Sequence, residues 1–169
     1  AVLQLESGGL NALYYDNQWL LENPVVERVD PTINFNWGSD IITKYGRDFV
    51  SVRWWGKVRP DTTEPYTFYL SADDGARLWV DHELVIDMWE NSIEKKSSVS
   101  LAADTFHDIK VEYKELTGDA SIVLEWSSRS IRRQVIPSSQ LYFPAHIVGS
   151  PFTTYVSPGS ADYPHSTFI

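Results

Sequence analysis

Asp73 and Asp74 stand side by side, followed by Gly75, in a stretch from Ser71 to Trp89 that also carries Asp81, Glu83 and Asp87. Neighbouring carboxylates in a loop between strands repel each other, and a cation, a proton or strong donors between them relieve the repulsion. A hard divalent cation is the economical solution. Calcium takes about six to eight oxygens at variable geometry, so adjacent Asp side chains plus oxygens from a facing loop suit it, whereas magnesium asks for a stricter octahedron. Asp-Asp-Gly also describes an ordinary solvated turn. On spacing alone, metal and turn both stay open.

Little else in the chain resembles catalytic machinery. His107 and Asp108 sit inside an alternating strand, which sends neighbouring side chains to opposite faces, and no Ser occupies a nucleophile elbow. Zero Cys removes thiol chemistry, disulfides and Cys-ligated zinc while leaving the redox compartment undecided. Paired carboxylates also hydrolyse glycosides, yet nothing specific supports that here, and the chain is expected not to be an enzyme. The four His are read as satisfying loops or strand surfaces. Asp87 is read as a carboxylate that locks a turn through backbone N–H groups, and Trp54, Trp55, Trp79 and Trp126 as packing residues.

Strands must position this chemistry. The apolar and alternating runs are Phe49 to Val58, Tyr66 to Ser71, Ala76 to Val80, Glu83 to Met88, Lys96 to Leu101, Phe106 to Tyr113 and Ser121 to Trp126. Between Val80 and Glu83, Asp81-His82 makes a two-residue connection, and Asp tolerates the positive φ that tight hairpins demand. The fold class is all-β. The 169 residues hold one domain and perhaps a fragment of a second, and 43% apolar residues with 7 Trp, 9 Tyr and 7 Phe supply a core without staples. A formal net charge of -9 repels a polyanionic backbone, so no nucleic-acid partner is expected. No run approaches the roughly 18 apolar residues of a spanning helix, so any signal or anchor is expected outside this stretch.

The residues then reach a resemblance. Gly9-Leu10-Asn11-Ala12-Leu13-Tyr14-Tyr15, Phe49-Val50-Ser51-Val52-Arg53-Trp54-Trp55-Gly56, Tyr66-Thr67-Phe68, the run from Ser71 to Trp89, Val111-Glu112-Tyr113 and Leu124-Glu125-Trp126 resemble the PA14 domain family, in family order. The resemblance implies an antiparallel β-sandwich or barrel over residues 8–144. It also implies the calcium-dependent sugar binding of several members, in which two consecutive Asp joined by a cis peptide hold Ca2+. The matching positions are Asp73 and Asp74, with Glu115 as side-chain ligand and the carbonyls of Thr117 and Asp119 completing the shell. Glu115 replaces the Asn of yeast adhesins; a third negative charge should tighten calcium and weaken the field that polarises sugar hydroxyls. Vicinal sugar hydroxyls would replace waters on the ion, so Asp73, Asp74 and Glu115 count as sugar contacts, with Trp89 and Lys114 as candidates to set selectivity.

Near Pro144 the character of the chain changes. The run from His146 to Gly159 resembles the last strand of a filamin-type immunoglobulin-like repeat, and Ala1 to Glu6 alternates like a strand that could precede it. Residues 1–7 and 145–169 are therefore expected to flank the main domain as parts of such a repeat, with 1–7 pairing against 146–156. The expected function is a calcium-dependent carbohydrate-binding or adhesion module of a larger protein at the cell surface. Its partners are then a glycan or glycoprotein and neighbouring domains. The rival reading is a structural or protein-interaction module whose Asp pair only holds a loop, in an intracellular cytoskeletal scaffold.

Overall fold

A computed structural model describes residues 4–90, 93–145, 153–155 and 166–168, the last two segments as backbone only. Its strands are β1 (Leu5–Ser7), β2 (Leu10–Tyr15), β3 (Val26–Asp30), β4 (Asn34–Gly38), β5 (Val50–Val58), β6 (Glu64–Asp73), β7 (Gly75–Val80), β8 (Glu83–Met88), β9 (Glu94–Leu101), β10 (His107–Glu115), β11 (Ala120–Ser128), β12 (Gln134–Val135) and β13 (Leu141–Pro144). Two more, β14 (Thr153–Tyr155) and β15 (Ser166–Phe168), pair with each other. The all-β expectation holds, and the expected runs fall within β5 to β11 except for the lead-in residues Phe49 and Phe106. Asp81 and His82 both have positive φ, 48° and 70°, as the two-residue hairpin between β7 and β8 requires.

All pairings are antiparallel. One sheet runs β1-β13-β5-β10-β7-β8, with β2 also on β5 and β3 on β2; the other runs β12-β11-β6-β9, with β4 also on β11. Both sheets use the same device: β13 and β2 share one edge of β5 at opposite ends, as β12 and β4 share one edge of β11. Alternation along β6 buries Tyr66, Phe68, Leu70 and Ala72, and along β11 Ala120, Ile122, Leu124 and Trp126. These side chains meet Trp54, Leu78, Val111 and Tyr113 of the larger sheet in one aromatic-rich core.

The central strands β5 and β10 are buried on both faces, so alternation fails there. On the outer face Leu13, Tyr15, Leu20 and Trp55 form a second apolar cluster, with Trp89 packed against it. The loop after β2 closes over it, held by the Leu20 N–H donating to Ser51 Oγ at 3.1 Å. Beside this cluster the cations interleave with rings. Lys110 Nζ lies 4.0 Å from the Trp79 ring centre, Arg77 reaches both Trp79 and Trp89, and Lys114 Nζ lies 4.8 Å from Trp89. Glu112 bridges Arg53 at 2.7 Å and Arg77 at 2.9 Å, with Arg53 and Glu112 both buried. Burying such charges is tolerable because each faces an opposite charge in hydrogen-bonding geometry.

The flanking segments differ from expectation at one point. Leu5–Ser7 pairs with Tyr142–Pro144 at the edge of the larger sheet, and the Ala145 N–H donates to the Gln4 carbonyl at 2.8 Å. That strand therefore belongs to the main sandwich. The remainder of the expected pairing with 146–156 lies largely outside the described residues.

Candidate metal centre

Two corners of the sandwich meet at one place. β6 lies in the smaller sheet and β7 in the larger, so Asp73-Asp74 is the corner at which the chain changes sheets. The chain changes back between β10 and β11, and β10 ends on Glu115. Register locks the corners together: Lys114 is opposite Gly75, and Ser121 is opposite Asp73. Gly75 is required there, because a Cβ would collide with the Trp89 carbonyl oxygen. Gly118, at φ 98°, supplies the left-handed residue of the second corner.

The Asp73-Asp74 peptide is cis, as the family pattern implies. Asp73, Asp74 and Glu115 each offer one carboxylate oxygen, and these oxygens lie within 4.8 Å of one another. Oxygens so spaced can face a single cation with ligand distances near 2.4 Å, the range calcium prefers. The Leu116 N–H donates to Asp74 Oδ2 at 2.7 Å, orienting that carboxylate from the second corner. Glu115 is fully buried; its Oε2 lies 3.0 Å from the Tyr113 hydroxyl, while its Oε1 has no hydrogen-bond partner. An orphaned carboxylate oxygen in such a place is costly, and a cation would satisfy it.

The electrostatics agree with the geometry. Burial pushes the Glu115 carboxyl up to about 7 against a lowering by the Tyr113 hydroxyl, with Asp74, Asp73 and Asp48 adding to the rise. Burial also raises Asp73, and the neighbouring charges of Asp74 and Asp119 add to it. No ion pair joins Asp73, Asp74 or Glu115 to a Lys or Arg among the described residues, and three hard oxygen donors suit calcium by charge and by donor type.

The other sequence-derived positions divide. Thr117 and Asp119 are exposed in the second corner, and Asp119 is near enough to act on Asp73. The Trp89 ring receives both Arg77 and Lys114. Lys114 alternates with Tyr113 and Glu115 along β10, which sends it to the outer face, where it pairs with Glu90 at 3.5 Å. Asp87 accepts the Trp89 N–H at 3.1 Å, the turn-locking role expected of it. Tyr113, Asp48 and the Leu116 N–H were not anticipated. The i, i+2 spacing of Tyr113 and Glu115 was the available signal for the first of them.

A two-sheet antiparallel sandwich with paired Asp at a corner defines the class. The profile of the PA14 domain matches residues 6–140, and the chain belongs to the PA14 domain family. It is 45% identical over 137 residues to the anti-sigma-I factor RsgI3 of Acetivibrio thermocellus, a match covering 79% of this chain and 21% of that protein. An anti-sigma factor domain-containing protein from Clostridium clariflavum superposes with a TM-score of 0.75 at 44% identity, over 85% of this chain and 50% of that one. The epithelial adhesin 6 A domain of Candida glabrata, solved in complex with Galb1-3GlcNAc, shares the fold with a TM-score of 0.66 at 13% identity, over 84% and 89% of the two chains. The chain thus spans a fifth to a half of the anti-sigma relatives it matches. No helix among the described residues is long and apolar enough to cross a membrane.

Proposed function

We propose that this domain is a non-catalytic, calcium-dependent glycan-binding module. The observation that carries the reading is the convergence of Asp73, Asp74 and Glu115 oxygens within 4.8 Å, with Glu115 Oε1 buried and unpartnered. Calcium held by these three, with Thr117 and Asp119 in reach on the exposed corner, keeps coordination positions open to solvent. A pair of adjacent sugar hydroxyls can displace waters there, and a sugar-bound adhesin shares the fold. Asp48 and Asp119 bring the carboxylates around the ion to five, which leaves the site negative and favours neutral sugars over uronates.

Resemblance to anti-sigma factor proteins supplies the setting. Within such a longer protein the domain serves as the outward-facing part that meets extracellular glycan, while signalling belongs to other regions. The millimolar calcium outside cells suits a site of modest affinity. A glycan array probed with calcium and again with EDTA tests the reading. Binding that appears with calcium and vanishes with chelator is expected; an array blank in both conditions, or unaffected by EDTA, overturns it.

A further inference from the structure

Phe49 breaks two local rules at once. It is a bulky residue in the left-handed region, at φ 54°, where an aromatic side chain is a genuine outlier. It is also 53% exposed, so its ring gains little from burial. Val50, the next residue, already begins β5 and is buried in the core opposite Glu115.

What holds Phe49 is the metal corner itself. Its N–H donates to the Leu116 carbonyl at 2.9 Å, and the Leu116 N–H in turn donates to Asp74 Oδ2 at 2.7 Å. On its other side Asp48 is close enough for its charge to act on Glu115. Phe49 is thus two hydrogen bonds from a metal-holding carboxylate, on a backbone that departs from strand alternation. Trp19 and Tyr45, likewise exposed, have no such bond to this corner among the described residues, and Ile93 reaches only Ala72, whose N–H donates to its carbonyl at 3.1 Å. Unfavourable local choices that persist at one residue mark functional positions.

We infer that Phe49 is the sugar-stacking and specificity-determining residue of this site, receiving the C–H face of a neutral pyranose whose adjacent hydroxyls bind the ion. The inference rests on the calcium-dependent reading above and adds the element that reading lacked. An ion alone selects for a diol, which most sugars offer. A ring fixed beside it selects for the stereochemistry that turns an apolar face toward that ring while the diol faces the metal. Trp89 cannot take this part so readily, because Arg77 and Lys114 already occupy its ring.

The test compares wild type with Phe49→Asn, Phe49→Ala and Phe49→Tyr on an array of immobilised neutral oligosaccharides that includes Galβ1-3GlcNAc, with calcium present. Asn tolerates the left-handed backbone, so Phe49→Asn removes the ring without loss of fold. The calcium-induced rise in melting temperature should be unchanged in all three variants. Retention on the strongest wild-type spot should fall about tenfold or more in the Asn and Ala variants and persist in Phe49→Tyr. Retention in Phe49→Asn within about twofold of wild type overturns the inference and leaves the glycan reading standing. Should wild type bind no spot, both fall together.

Discussion

The Tyr113 hydroxyl lies 3.0 Å from Glu115 Oε2 and touches the Asp73 carbonyl oxygen, so one side chain from the core reaches both corners of the candidate metal centre. A hydroxyl has a single proton to donate, and the two acceptors compete for it. This leaves Glu115 under-compensated when it ionises.

The pH dependence follows with a definite sign. A carboxyl raised from 4.5 to about 7 binds its proton more tightly in the folded chain than in the unfolded one. Through that interval the metal-free protein therefore loses stability as pH rises. Calcium needs the ionised carboxylates, so its stabilising increment grows over the same interval. Thermal melts from about pH 5 to about pH 7.5, with and without calcium, should show the two trends diverging. A calcium increment that stays flat would falsify the assignment of Glu115 as a ligand.

Calcium at about 100 times its dissociation constant should add about 2.7 kcal/mol, or about 5–10 °C in melting temperature for a domain of this size. Asp74→Asn should weaken calcium by about 100-fold or more, since it removes a charged donor that Leu116 holds in place. Isothermal calorimetry with calcium alone decides this without any sugar.

Glu112→Gln tests the outer face. It leaves Arg53, 4% exposed, without its carboxylate, and also strips Arg77 of its 2.9 Å partner. A loss of about 3–5 kcal/mol is expected in denaturant melts. Because Glu112 alternates away from the metal corner, the calcium increment should survive in the variant.

Gly75→Ala should be poorly tolerated, because its Cβ meets a backbone carbonyl, that of Trp89, which cannot swing aside as a side-chain tip would. Overpacking of this kind costs about 1–3 kcal/mol or more, and here it also displaces the corner that carries Asp73 and Asp74. Both melting temperature and calcium affinity should drop. A variant that keeps its affinity would separate the glycine from the site.

Much of this was legible in the chain, for identifiable reasons. β6 and β11 alternate cleanly because each buries one face, and Asp81-His82 announces its hairpin by residue type. The Asp pair stood out through charge density and family pattern. The edge strand β3, Val26–Asp30, did not, because its middle residues Glu27, Arg28 and Val29 are all exposed and offer no apolar period. Lys114 drew attention as the neighbour of Glu115, and adjacency along β10 sends those two side chains to opposite faces. Phe49 reads as the first apolar residue of a strand; only its backbone angle and its bond to Leu116 set it apart.

The pairing of β1 with β13 has a consequence for how such a domain is carried. Polypeptide entering through Leu5–Ser7 and leaving through Tyr142–Pro144 returns to within one interstrand spacing, about 4.8 Å, of where it came in. A unit closed at its neck in this way can be spliced into a surface turn of a host protein without prying that turn apart.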